Sequence, residues 1–197
     1  MKKRQMSKKI IACVMLFVLL ITALPVQAAT KTVKADTTIK KEVSKVIKTN
    51  KITSSTSKSV ALKKVFTYMT TKNRYKYSRA PLGFKPNVQK NWERDFAKQL
   101  LKNKRGSCYH YAAAYAYLAK KISKYPVRIG YGQAKVFSDK WQAHAWTEIK
   151  IGKTWYIYDA NAQQFSKKRV GKWYQQKRTS MTKIYNLKTA KYTYVEI

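Results

Sequence analysis

The sequence predicts an α+β fold, and three observations carry that prediction. Apolar residues recur at helical spacing in three stretches between residues 59 and 122. From Val127 onward the period changes to two. The two patterns do not alternate along the chain, which separates this class from α/β folds, where strands and helices take turns.

Each element follows in order. Val60, Leu62, Val65, Phe66 and Met69 predict a first helix over residues 59–72. Residues 73–87 carry Pro81, Gly83 and Pro86 and read as a loop. Trp92, Phe96 and Leu100 fall at i, i+4 and i+8, so residues 91–102 form a second amphipathic helix, with Asn91 or Gln89 near its cap. Gly106 then allows a tight turn, and Ser107 is a good N-cap because its hydroxyl accepts a free backbone N–H. The third helix, residues 108–122, is apolar nearly all round, with Ala112, Ala113, Ala114, Ala116 and Ala119 keeping it slender. That pattern belongs to a central, buried helix. Residues 127–133, 142–150 and 154–159 read as strands of an antiparallel sheet, with Ile151-Gly152-Lys153 a hairpin turn, and residues 192–197 supply a last strand.

The N-terminal part divides differently. Lys2, Lys3, Arg4, Lys8 and Lys9 precede an uncharged apolar run of about 15 residues, too short for the roughly 20 that span a bilayer core. Small residues follow at Ala28 and Ala29, so residues 1–28 read as a cleaved secretory signal peptide that leaves no stable membrane span. Residues 29–58 are almost wholly Lys, Thr, Ser and Val and contain no aromatic residue. They read as a disordered tether, with at most a short helix near residues 39–47. The folded domain is expected over residues 59–197.

Charge and cysteine usage narrow the function classes. The net charge is +35, and removing a leader with five basic residues leaves about +30. A secreted or surface-associated protein of that charge meets anionic cell-wall polymers first. Nucleic acid is the other common partner of basic proteins, but no recognition motif for it is present. The basic residues are spread over the tether, over residues 63–79 and over residues 167–191, and are sparse between Cys108 and Asp159. Beyond the leader Cys108 is the single cysteine, which rules out an internal disulfide and marks the thiol as a reactive group or an intermolecular bridge.

Cys108 falls in the first turn of the buried helix, where unpaired N–H groups carry about half a positive charge and favour a thiolate. The hairpin brings two further groups together. A turn at Ile151-Gly152 sets His144 directly opposite Asp159, and a turn at Gly152-Lys153 sets them diagonally. In both registers they share one face, because strand alternation has period two. A carboxylate–imidazole hydrogen bond is within reach either way. His110 lies two positions from Cys108, about 200° round the helix, and cannot share its face. Cys108, His110, His144 and Asp159 do not make a zinc site, and no cofactor is implied.

The run Gly106-Ser107-Cys108-Tyr109-His110-Tyr111-Ala112 resembles the cysteine segment of the transglutaminase-like superfamily. Residues 126–132, Pro-Val-Arg-Ile-Gly-Tyr-Gly, resemble the strand that follows its helix. His144-Ala145-Trp146 is similar to the family's His-Ala-Trp strand, and Trp155 to Asp159 completes the order Cys…His…Asp. The resemblance spans residues 59–165. It implies a papain-like core, with the nucleophile on a central helix packed on an antiparallel sheet. It also implies a triad in which Cys108 attacks a carbonyl, His144 moves the proton and Asp159 orients the imidazole. The expected activity is thiol-dependent acyl transfer or hydrolysis at peptide, isopeptide or carboxamide bonds of a protein or peptide substrate. By the same resemblance an aromatic residue upstream completes the oxyanion hole, and Tyr75, Trp92 and then Tyr77 are the candidates. Without acidic clusters, the calcium dependence of animal transglutaminases does not carry over. The alternative is an inactive basic module that keeps the fold and binds anionic polymers.

Overall fold

A computed structural model describes residues 31–169 and 172–197. The expected leader lies outside the described residues. The strands are β1 (Lys31–Lys34), β2 (Lys76–Tyr77), β3 (Arg105–Gly106), β4 (Val127–Ala134), β5 (Gln142–Ile151), β6 (Thr154–Tyr158), β7 (Gln176–Lys177) and β8 (Lys191–Glu196). The helices are α1 (Thr37–Thr49), α2 (Lys58–Thr70), α3 (Trp92–Asn103), α4 (Cys108–Ser123) and α5 (Ala160–Phe165), with a 3-10 turn at Arg178–Met181.

A six-stranded sheet runs in the order β1-β8-β4-β5-β6-β7, antiparallel except for the parallel β1–β8 pair. Alternation along β5 gives the sheet two cores. Ala145 and Ile149 face a cluster built with α1 to α4, and Trp146 faces a second cluster with Ile157, Trp173, Met181 and Tyr185. Helix α4 is the centre of the first cluster, its residues from Tyr111 to Ala119 all buried. Its alanines let α3 and the sheet approach from different sides, while Tyr111, Tyr115 and Tyr117 fill the larger gaps. The Thr147 hydroxyl of β5 donates to the Ala112 carbonyl at 2.8 Å, which pins the cysteine-bearing end of α4 to the histidine-bearing strand.

The tether expected over residues 29–58 is a correction. Residues 31–34 form an edge strand paired with β8, and α1 follows, capped by Asp36, whose carboxylate accepts the Ile39 N–H at 2.9 Å. Val33, Ile39, Val43 and Val46 are buried against the helical core. Tyr117 of the central helix donates its hydroxyl to the Val33 carbonyl at 3.2 Å, and Lys31 pairs with the buried Glu93 of α3 at 3.1 Å. Four apolar side chains suffice to order this segment because β8 supplies a ready edge for its backbone. The folded unit therefore includes residues 31–58 and does not start at residue 59. Among the described residues no helix is long and apolar enough to cross a membrane.

Candidate active site

The N-terminus of α4 is built by a histidine, and that histidine is His110. The Ser107 backbone N–H donates to His110 Nδ1 at 3.2 Å, and the Ser107 hydroxyl lies 2.9 Å from the same nitrogen. With Nδ1 accepting from an N–H, the ring proton sits on Nε2, which meets Gln99 Oε1 at 2.9 Å. The ring stacks on Phe96 with centroids 3.9 Å apart. Burial pushes the His110 imidazole down to about 4, so it is neutral at physiological pH. A Cβ on Gly106 would lie 2.4 Å from the His110 Cβ, so only glycine lets the ring fold back over the turn. Gly106 is also held by β2, since the Ser78 N–H donates to its carbonyl at 3.0 Å. These contacts fix Cys108 at the first position of a sixteen-residue helix, as a free, half-buried thiol whose own N–H has no intrahelical acceptor.

The β5–β6 hairpin takes the second of the two expected registers, with Ile151 opposite Thr154 and Thr147 opposite Tyr158. Gly152 turns the chain with φ +59°, a conformation glycine adopts without strain. Asp159 follows β6 on the same face as His144, and His144 Nε2 meets Asp159 Oδ2 at 2.7 Å, both groups fully buried. Asp159 also caps α5, its Oδ1 accepting the Ala162 N–H at 2.8 Å. Its own N–H donates to the Trp173 carbonyl at 2.9 Å. The Tyr185 hydroxyl donates to Oδ2 at 2.7 Å, so this carboxylate is the acceptor of three side-chain or backbone donors.

Nε2 being engaged with Asp159, the other ring nitrogen of His144 is free for the Cys108 thiol, which stands within hydrogen-bonding reach of the ring. Burial opposes a charged His144, but the Asp159 carboxylate and the Cys108 thiolate outweigh it. Together with the hydrogen bonds to both, they hold the imidazolium up to about 10. The site therefore holds His144 in its charged form between Asp159 and Cys108. Phe137 lies edge-on to the His144 ring at 5.6 Å and screens it from water.

The structure brings Cys108, His144 and Asp159 together. The Trp92 indole N–H is consumed by the Pro86 carbonyl at 3.1 Å. The Tyr75 hydroxyl accepts from Lys104 at 3.3 Å, beside the C-terminal end of α3. Tyr77, the third oxyanion candidate, is half exposed and packs on Phe165. Sequence reasoning missed Tyr185, because it lies in a stretch without periodicity and reaches Asp159 across 26 residues of chain. Among the described residues no group of three or more His, Cys, Asp or Glu is placed to hold a metal ion.

No curated protein matches this chain. The sequence model of the transglutaminase-like superfamily matches residues 30–160, from the first edge strand through all three polar groups of the site. The chain therefore belongs to the transglutaminase-like superfamily, whose members are typically cysteine-based enzymes.

Proposed function

We propose that the protein is a thiol acyl-transfer enzyme, in which Cys108, His144 and Asp159 act as nucleophile, proton carrier and orienting carboxylate on peptide, isopeptide or carboxamide bonds. The observation that carries this reading is the buried His144, paired at 2.7 Å with Asp159 on one side and facing a helix N-terminal thiol on the other. The Cys108 thiolate adds to the carbonyl carbon, forming the C–S bond. The C–N bond breaks as the His144 imidazolium gives its proton to the leaving amine or ammonia. Water or a second amine then attacks the thioester, His144 takes its proton, and the C–S bond breaks to release acid or amide. Asp159 keeps the imidazole in the tautomer that faces the sulfur and stabilises its charged form. The N–H of Cys108 at the helix start is one donor for the oxyanion.

The test uses a glutamine-containing peptide with and without a primary amine, followed by mass spectrometry. Expected are a thioester adduct on Cys108 and a product that carries water or the amine. Absence of both adduct and product over a panel of amide donors would overturn the reading.

We further propose that the enzyme works outside the cell or at its surface and meets anionic polymers there. This is supported by the leader-like N-terminus and by the +35 charge. A groove of about 680 Å³ presents Lys63, Lys64 and Arg74 together, the kind of surface an anionic chain would occupy. Retention on purified cell walls should be lost on raising salt from about 0.15 M to 1 M, because exposed charges are screened within a few ångströms at the higher value. Retention at 1 M salt, or on walls stripped of anionic polymer, would count against it. Saturable wall binding by a protein that forms no acyl-enzyme would favour the binding-module reading instead.

A further inference from the structure

We propose that Tyr77, Phe137 and Phe165 form the seat for a large apolar side chain next to the reacting carbonyl of the acyl donor, with an acidic residue beyond it over Lys72 and Lys76. The proposal rests on the reading of Cys108 as the nucleophile and adds the class of substrate. The three aromatic residues line a cavity of about 250 Å³. That is smaller than the roughly 300–1,000 Å³ of sites that take a whole small molecule, and suits one side chain.

Its position follows from how each wall is anchored to one member of the triad. Tyr77 stands in β2 opposite Gly106, two residues before Cys108. Phe165 ends α5, the helix that Asp159 caps. Phe137 lies against the His144 ring at 5.6 Å. Tyr77 and Phe165 meet edge to face at 5.8 Å, which fixes the angle between two of the walls. A side chain seated there belongs to a residue whose carbonyl is beside the sulfur.

Exposure points the same way. Tyr77 is 52% and Phe137 39% exposed, so two large apolar side chains are held in water at one place. Surface apolar residues that converge on a concave site mark a binding surface. The flank is equally specific. A second groove, of about 580 Å³, shares Tyr77 and Phe165 as a wall and carries Lys72 and Lys76, with no acidic residue along it. Its complement is a carboxylate one or two residues from the apolar side chain.

The experiment compares peptidyl chloromethyl ketones on the full chain, with iodoacetamide as a reference that needs no pocket. Each label alkylates Cys108 by forming a C–S bond and expelling halide, chloride from the ketones and iodide from iodoacetamide, and intact mass gives the rate. Acetyl-Asp-Phe ketone should react at least about tenfold faster than acetyl-Asp-Gly ketone. It should also outpace acetyl-Lys-Phe ketone. The double variant Tyr77→Ser with Phe137→Ser should bring the Phe-to-Gly ratio to within about twofold, and Lys72→Glu with Lys76→Glu should reverse the Asp-to-Lys preference. Unfolding would only bring the ratios toward one, so the reversed Asp-to-Lys preference of the lysine variant is the outcome that a partly folded chain cannot mimic. A Phe-to-Gly ratio near one in the unaltered protein, with Cys108 alkylated by iodoacetamide, would overturn the seat and leave the nucleophile. A native Cys108 that no label reaches would overturn both.

Discussion

The two histidines of the described chain sit in regions that bury them almost equally and charge them oppositely. His110, in the cap of α4, has an amide N–H, a serine hydroxyl, a glutamine oxygen and the face of Phe96 around it. His144, in β5, has a carboxylate at 2.7 Å and a thiol within reach. Burial alone pushes the first down to about 4. The carboxylate and thiolate overcome the same burial at the second and hold it up to about 10. Burial is thus not what marks a functional histidine in this fold. The charged neighbours are, and in the proposed reaction it is the second region that carries the proton.

The strongest way to break the contrast is to remove the second imidazole. His144→Ala should lower acyl-enzyme formation at least about a thousandfold, since the thiol loses its proton carrier and its counter-charge together. Iodoacetamide modification of Cys108 should slow near neutral pH as well. Retention of more than a tenth of the activity would show that another group serves the thiol.

Asp159→Asn tests the cause of the difference. The amide keeps the shape and still accepts the Ala162 N–H, but it no longer opposes burial. His144 should then move down from about 10 toward the behaviour of His110, and turnover should fall roughly a hundredfold. The sign is explicit. An imidazolium held up to about 10 keeps its proton from neutral pH up to that value, so the alkaline limb of the turnover profile lies near 10. In the variant that limb should shift several units lower. An unshifted limb would assign it to some other group.

Tyr185→Phe is a smaller change in the same place. The Tyr185 hydroxyl is fully buried, and burial next to Asp159 raises it well above its ordinary value, so it stays a donor at every working pH. Its loss leaves Asp159 the His144 and Ala162 contacts and loosens the ring's orientation. The expected result is about a tenfold fall in kcat with KM unchanged. An equal change in both, or a melting temperature shift without a kinetic one, would make Tyr185 a packing residue only.

How much of this could be read from residues alone depends on how local the cause is. The helix at Cys108–Ser123 declared itself through Gly106, Ser107 and a wall of alanines, all within one stretch. His144 and Asp159 were placed on one face by counting through a tight hairpin, and the structure selects between the two registers without changing that face. Residues 31–49 were misread because their stabilising partner is distant. Lys31–Lys34 pairs with Lys191–Glu196 at the other end of the chain, and Ile39, Val43 and Val46 needed the α3–α4 surface before their spacing meant anything. Composition counted few apolar residues there, while the fold uses four of them completely. Tyr185 and Phe137 were hidden for the same reason, since a single aromatic residue in a loop has no periodicity to betray it.

The gentlest perturbation addresses the first histidine. His110→Gln keeps a side chain that can accept from the Ser107 N–H and replaces a titrating cap by one that does not titrate. Turnover near pH 7.5 should change by less than about threefold, because a neutral cap is what the native protein already has there. Stability is where the difference appears. A histidine held neutral down to about 4 in the fold, against about 6.5 unfolded, lets the unfolded chain bind its proton first. His110 therefore contributes a loss of stability as pH falls from about 6.5 to 4, on the order of 2 kcal/mol by the lower end of that window. His144 contributes in the opposite sense, with stability complete below about 6.5 and lost as pH rises toward 10. Melting curves of native protein and variant from pH 7.5 to 4.5 separate the two. The native protein should lose about 4–8 °C more than the variant over that range. Parallel curves would mean that the His110 ring takes up its proton in place, and that its neutrality is not what shapes the turn before Cys108.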